Sequence, residues 1–186
     1  MEKYIAILRG INVSGSKMIK MDNLKLSMIE LNFKNIETYI QSGNLIFEYA
    51  KTNQHYLATL ITNKIQKTFE FHVPVIIKSA KELNAIKDHN PFINNRNEAI
   101  DKLHVTFFSE EPAKELLGKL TGIESNSDEF ILAGNVVYLC CMNGYGRTKL
   151  TNNLFENKLK ISATTRNWKT VIKLAEMANQ NNDKYI

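Results

Sequence analysis

The sequence predicts an α+β chain made of two ferredoxin-like (βαββαβα) plait units in tandem. Three observations point there. Short apolar runs of strand length alternate with amphipathic stretches in the order strand, helix, strand, strand, helix, strand, helix. The same order recurs after a polar break. SGNLIFEY in the first half is answered by AGNVVYLC in the second, with Gly43 and Gly134 lying 91 residues apart. Residues 1–88 form the first expected unit, 89–101 a linker, and 102–186 the second unit with a basic C-terminal helix.

YIAILRG is a buried strand, an apolar run that stops at glycine. Asp22 is placed to cap a helix with Leu24, Met28 and Leu31 on one face. IETYI and LIFEY follow as strands joined by QSGN, a glycine-containing hairpin signal. A helix is predicted from about Asn53 to Phe71, with Leu57, Leu60, Ile61, Ile65 and Phe69 as its apolar stripe. VPVIIK is a strand, and Pro74 near its start suits a sheet edge. Ser79 and Glu82 have the spacing of a capping box for the next helix.

HNPFINNRNEA is polar and aperiodic, which marks the linker. KLHVTFF is the next strand, and EPAKELLGKL is a helix with Pro112 in its first turn. EFILA and VVYLC form a second hairpin around Gly134 and Asn135. TKLTNNLFENKL is a helix and ISATT a short strand. Asn167 caps a last helix carrying Trp168, Val171, Ile172 and Ala175 on one side.

Composition narrows the function classes. Apolar residues make up 44% and charged residues 23%, the balance of a globular chain. No apolar stretch approaches the ~20 residues that span a bilayer, and MEKYIAILRG lacks the long apolar core of a signal peptide. A cytoplasmic location and no membrane partner are expected. Cys140 and Cys141 are adjacent, which suits strand thiols in a reducing compartment. His55, His72, His89 and His104 have no metal-ligand spacing, so no metal or other cofactor is implied. The net charge of +5 comes entirely from residues 142–186, with 8 basic and 3 acidic residues; residues 1–141 hold 16 of each. An anionic partner is drawn to that quarter.

RGINVSGSK, residues 9–17, is the first stretch with chemistry. Gly10 and Gly15 have phosphate-loop spacing, but Ser16 stands at the lysine position and Met18 at the magnesium-binding hydroxyl. Nucleotide hydrolysis is therefore rejected. A looser anion site remains, since glycines let backbone N–H groups form a nest and Arg9 adds a bidentate donor. In the predicted sheet the end of the first strand and the hairpin after the second lie at one end. That brings Arg9, Asn12, Ser14 and Lys17 toward Gln41, Ser42 and Asn44. The structural alternative is that Asn12, Gln41 and Asn44 satisfy turn backbone. In GYGRTK, Arg147 and Lys149 are expected at a helix start, where the dipole favours an anion. Arg166 is a further expected contact, and Trp168 is expected in the core.

LRGINV, TYIQSGN with the following LIF, and GRTKLTNNLFENKL followed by ATTRNWKTVIKLAEM together resemble DUF1697, a bacterial family of unknown function. The resemblance runs from Tyr4 to about Met177. It implies a two-part α+β protein with plait-like halves and no particular activity. The chain has NVSGSK where the family pattern suggests a second glycine, as in NVGGK.

The function expected is binding of a small anionic ligand, bearing phosphate or carboxylate, at the glycine-containing loops. No catalytic residue is assigned and an enzymatic step stays open, as does the oligomeric state. The alternative is nucleic-acid binding through the basic C-terminal region, with Phe47, Tyr49 and Tyr4 on central strands as stacking aromatics. A protein-interaction scaffold is the third class.

Overall fold

A computed structural model describes residues 1–13, 15–123, 125 and 127–180. The chain divides into two compact units, Met1–Ala85 with the segment from Lys173 onward, and Ile86–Ile172. The elements in order are β1 (Glu2–Leu8), α1 (Met21–Ile29), β2 (Lys34–Thr38), β3 (Asn44–Tyr49), α2 (Gln54–Phe69), β4 (Val75–Ser79) and α3 (Ala80–Asp88). They continue with α4 (Pro91–Asn94), β5 (Leu103–Phe108), α5 (Lys114–Leu117), β6 (Glu129–Ala133), β7 (Val136–Cys140), α6 (Asn152–Leu159), β8 (Ala163–Asn167) and α7 (Trp168–Asn179). The fold is α+β, with two four-stranded antiparallel sheets ordered β2-β3-β1-β4 and β6-β7-β5-β8. No helix among the described residues is long and apolar enough to cross a membrane.

In the first sheet β3 lies antiparallel to both β1 and β2, so β1 and β2 run parallel. The exit of β1 and the turn after β2 therefore share one end of the sheet. β4, which follows Pro74, is an edge strand paired only with β1. One sheet face carries Tyr4, Ala6, Leu8, Leu45, Phe47, Val75 and Ile77 into a core with Leu24 and Met28 of α1 and Leu57, Ile61 and Ile65 of α2. Phe47 stacks on Phe33 at 4.1 Å and on Tyr4 at 5.9 Å, all three buried. These aromatics are core and offer no exposed platform for bases.

The caps explain where helices start. Asn53 accepts from His55 N at 2.7 Å and Tyr56 N at 3.4 Å and so opens α2. The capping box forms: Ser79 Oγ accepts from Glu82 N at 3.2 Å, and Glu82 Oε2 accepts from Ser79 N at 2.8 Å. Asn167 Oδ1 accepts from Thr170 N at 2.8 Å and opens α7, and Trp168 is buried. α1 differs from expectation. Its N-cap is Lys20, with no side-chain cap, and Asp22 sits in the first turn.

The second sheet packs Val137, Leu139 and Ala163 with Phe155 and Leu159 of α6. β8 pairs with β5 along its length, two residues later than the ISATT segment suggests. The EPAKELLGKL stretch gives only the four-residue α5 followed by a 3₁₀ turn at Gly118–Leu120, and Pro112 precedes the helix. Gly118 weakens helix continuation there. Residues 89–101 contain α4, capped by Asn90 Oδ1 on Phe92 N at 2.9 Å, with Phe92 buried.

Gly43 is the most closely packed of the first unit's glycines. Its φ is +77°, and an added Cβ would lie 2.7 Å from Ile11 Cδ1 and 2.9 Å from Leu8 Cβ. Gly10, at φ +68°, has nothing within 4 Å of that position. Urea denaturation should show Gly10→Ala costing about 1–2 kcal/mol, the strain of a left-handed backbone. Gly43→Ala should cost about 1–3 kcal/mol more, because β1 and the turn must also move apart. Equal losses would show that the contact has no energetic weight.

Candidate functional site

The loop after β1 is a small self-bonded hairpin. Val13 and Ser16 form an isolated bridge, Ser16 N donates to Val13 O at 3.0 Å, and Asn12 N donates to Lys17 O at 3.2 Å. Asn12 and Lys17 both take left-handed backbone, with φ +55° and +47°. Asparagine adopts this region more readily than most side chains. Leu8 N donates to Gly43 O and Arg9 N to Pro74 O, both at 2.9 Å. The amides of Leu8, Arg9, Asn12, Ser16 and Ile19 are therefore committed to protein oxygens. Within the loop, Asn12 N and Ser16 N are thus turned to its own carbonyl oxygens. Ser14 lies outside the described residues.

Asn12 joins the loop to the hairpin turn. Its Nδ2 donates to Ile19 O at 2.9 Å and to Gln41 O at 2.8 Å, and its Oδ1 accepts from Ile19 N at 2.7 Å. The two polar loops thus meet, as the strand order requires. Other expected contact residues are also engaged within the protein. Lys17 Nζ donates to His72 O at 2.8 Å, and Asn44 is fully buried with Nδ2 on Tyr39 O at 3.0 Å and Ser42 Oγ at 3.2 Å. Arg9 is half-buried at the base of the loop.

Beside this junction lies a cavity of about 570 Å³, within the range of small-molecule sites. Asn12, Met18, Ile19, Lys20, Asn23, Gln41 and Phe69 line it, and most of its surface is apolar. Met18 is 64% exposed at its mouth, and Val13 and Ile40 on the adjoining loops are also exposed. Among the described residues, the side chains of Lys20, Asn23 and Gln41 make no hydrogen bond or ion pair with the protein. The segment from Arg9 to Lys20 holds three basic residues and no acidic one. Met18, Ile19, Lys20, Asn23 and Phe69 were not candidates from sequence. Their signal was Met18 and Ile19, an apolar pair directly after a polar glycine loop.

The remaining expected residues belong to the second unit. α6 begins at Asn152, because Thr151 Oγ1 accepts from Leu154 N at 3.2 Å. Arg147 closes a 3₁₀ turn and Lys149 precedes the cap, both exposed, so neither stands in the first turn of a helix. This corrects the dipole expectation for GYGRTK. Arg166 lies on β8 and is only 8% exposed, with Nη1 on Thr164 Oγ1 at 3.1 Å and Thr165 O at 2.9 Å. Burial pushes its guanidinium down to about 10, against a smaller opposing influence from Tyr145. Tyr145 stacks on buried His104 and donates to Thr165 Oγ1 at 3.0 Å. Burial lowers the His104 imidazole below its ordinary value.

Both cysteines are buried free thiols, and burial raises Cys141 to about 11, which leaves it protonated and unreactive at neutral pH. Among the described residues no three His, Cys, Asp or Glu side chains gather into a metal-binding group.

A family model described as "Protein of unknown function (DUF1697)" matches residues 1–138. No curated protein matches the chain. Among solved structures, conserved bacterial protein SP0830 from Streptococcus pneumoniae is similar over 96% of this chain and 99% of its own, at 19% identity and a TM-score of 0.70. That likeness is one of fold.

Lys78 on β4 is 1% exposed, and burial pushes its ammonium down to about 8, with Glu82 partly opposing. Between about 8 and the ordinary value of 10.5 the unfolded chain binds a proton that the folded chain does not. Stability should therefore rise with pH across that window. Chemical denaturation at pH 8 and 10 should show the rise in the wild type and a flatter profile in Lys78→Met. An unchanged slope in the variant would assign the pH dependence to other groups.

Proposed function

The chain belongs to the DUF1697 family, and from that premise and the site geometry we propose that it binds a small ligand with an anionic group in the cavity beside the 9–20 loop and the 39–44 turn. The observation that carries this reading is a division among polar side chains. Asn12, Lys17 and Asn44 are spent holding the loops. Lys20, Asn23 and Gln41 line the cavity with their polar groups uncommitted. Buried polar groups are paired within the protein, whereas these three exposed side chains border a concave space and are available to a ligand there. Asn12 acts as a positioning residue, and Arg9 adds positive potential at the base of the loop.

The finer architectural reading belongs with this proposal. The two strand orders are the same when counted within each half, and this supports a tandem pair of ferredoxin-like plaits arising from an internal repeat. The proposed repeat halves are residues 1–88 and 102–186, with 89–101 as the linker. A role in the cytoplasm agrees with the buried reduced thiols.

Titration with inorganic phosphate and with acetate, followed by amide NMR, should move the signals of Asn12, Lys20 and Gln41. Arg9→Ala should weaken binding by about twofold, since Arg9 lies off the cavity wall and acts through its potential. Lys20→Gln should cost about two- to fivefold, since an exposed cation is screened by water. Shifts confined to residues 147–149 would overturn the loop site and favour the basic C-terminal tract.

A further inference from the structure

The chemistry of the cavity narrows the ligand further, on the premise that the loop site binds an anion. We propose that the ligand is a small amphiphilic monocarboxylic acid, with its carboxylate beside Lys20 and its unbranched or aromatic apolar body against Met18, Ile19 and Phe69. The charge count comes first. A phosphate dianion is commonly held by several backbone N–H groups or a cluster of cations. Here the loop amides of Asn12, Ser16 and Ile19 are already bonded within the protein. Among the cavity-lining residues Lys20 is the one cation, and no acidic residue lines the space. One positive charge with two neutral amides, Asn23 and Gln41, matches a monoanion that also accepts hydrogen bonds.

The rest of the cavity dictates the body. A fully polar ligand would leave Met18 and Phe69 facing water, in a space of about 570 Å³ that is far larger than one carboxylate. Met18, 64% exposed at the mouth, is unbranched and adapts to varied apolar shapes. Exposed Val13 and Ile40 extend the apolar margin on the adjoining loops. Each methylene buried there should tighten binding about fourfold.

The test is calorimetric titration of the full chain with acetate, hexanoate, octanoate and decanoate below their aggregation limits. Decanol, inorganic phosphate and anionic phospholipid vesicles serve as separate arms. Affinity should climb about fourfold per methylene from hexanoate until the cavity fills. Decanoate should exceed decanol. Lys20→Gln should reduce decanoate affinity several-fold and leave decanol unchanged, and Met18→Ser should flatten the chain-length gain. Circular dichroism checks that both surface variants remain folded. Phosphate binding with no gain from chain length would overturn the amphiphile while leaving the anion site standing. Decanol equal to decanoate would remove the carboxylate. Binding to vesicles alone would reassign the apolar margin to a membrane surface. Absence of binding by every probe would overturn both this proposal and the anion site.

Discussion

The junction of Asn12 with the turn at Gln41–Gly43 is the constraint on which the first unit's site depends. The chain leaves β1 and must reverse within a few residues while the β2–β3 turn occupies the same end of the sheet. Gly43 permits the approach, because no side chain fits between its Cα and Ile11. Asn12 then fastens it with three hydrogen bonds, two to Ile19 and one to Gln41 O. Its left-handed backbone directs the amide across the gap. A larger residue at 43 would separate the loops. A residue at 12 without an amide would leave backbone groups of Ile19 and Gln41 unpaired.

Holding the loops together determines which chemistry is left over. Amides consumed in the loop's own hairpin cannot cradle a phosphate. Lys17 reaches the carbonyl of His72 and so braces the loop instead of facing the cavity. Lys20, just past the hairpin, caps no helix with its side chain and borders the cavity. On the proposed reading the loop frames a mostly apolar space with Lys20 as its lining cation.

Much of the architecture was legible because local signals agreed with each other. The GN hairpins, the Ser79–Glu82 box, the Asn167 cap and the stripe of α2 each act over a few residues. The meeting of the 9–17 and 41–44 loops was legible too, since parallel β1 and β2 require it. The use made of each polar side chain was not. Asn12 and Gln41 look alike in sequence, yet one amide is spent and the other is not, and only the path of the backbone decides. α6 starts at Asn152, later than the TKLTNNLFENKL stretch suggests. Thr148 Oγ1 accepts from Leu150 N at 3.1 Å, and Thr151 takes the cap. The burial of Lys78 at the end of VPVIIK had no local signal either.

Amide hydrogen exchange at Ile19 tests the central claim most directly. Ile19 N has the Asn12 carboxamide oxygen as its acceptor, across the base of the loop. If that side chain holds the loop and turn together, Ile19 should be protected in the wild type. In Asn12→Ala it should exchange at close to the unprotected rate, with Leu8 N, bonded to Gly43 O, also losing protection. Protection at both amides that survives the substitution would contradict the account, since the junction would then be held by packing alone.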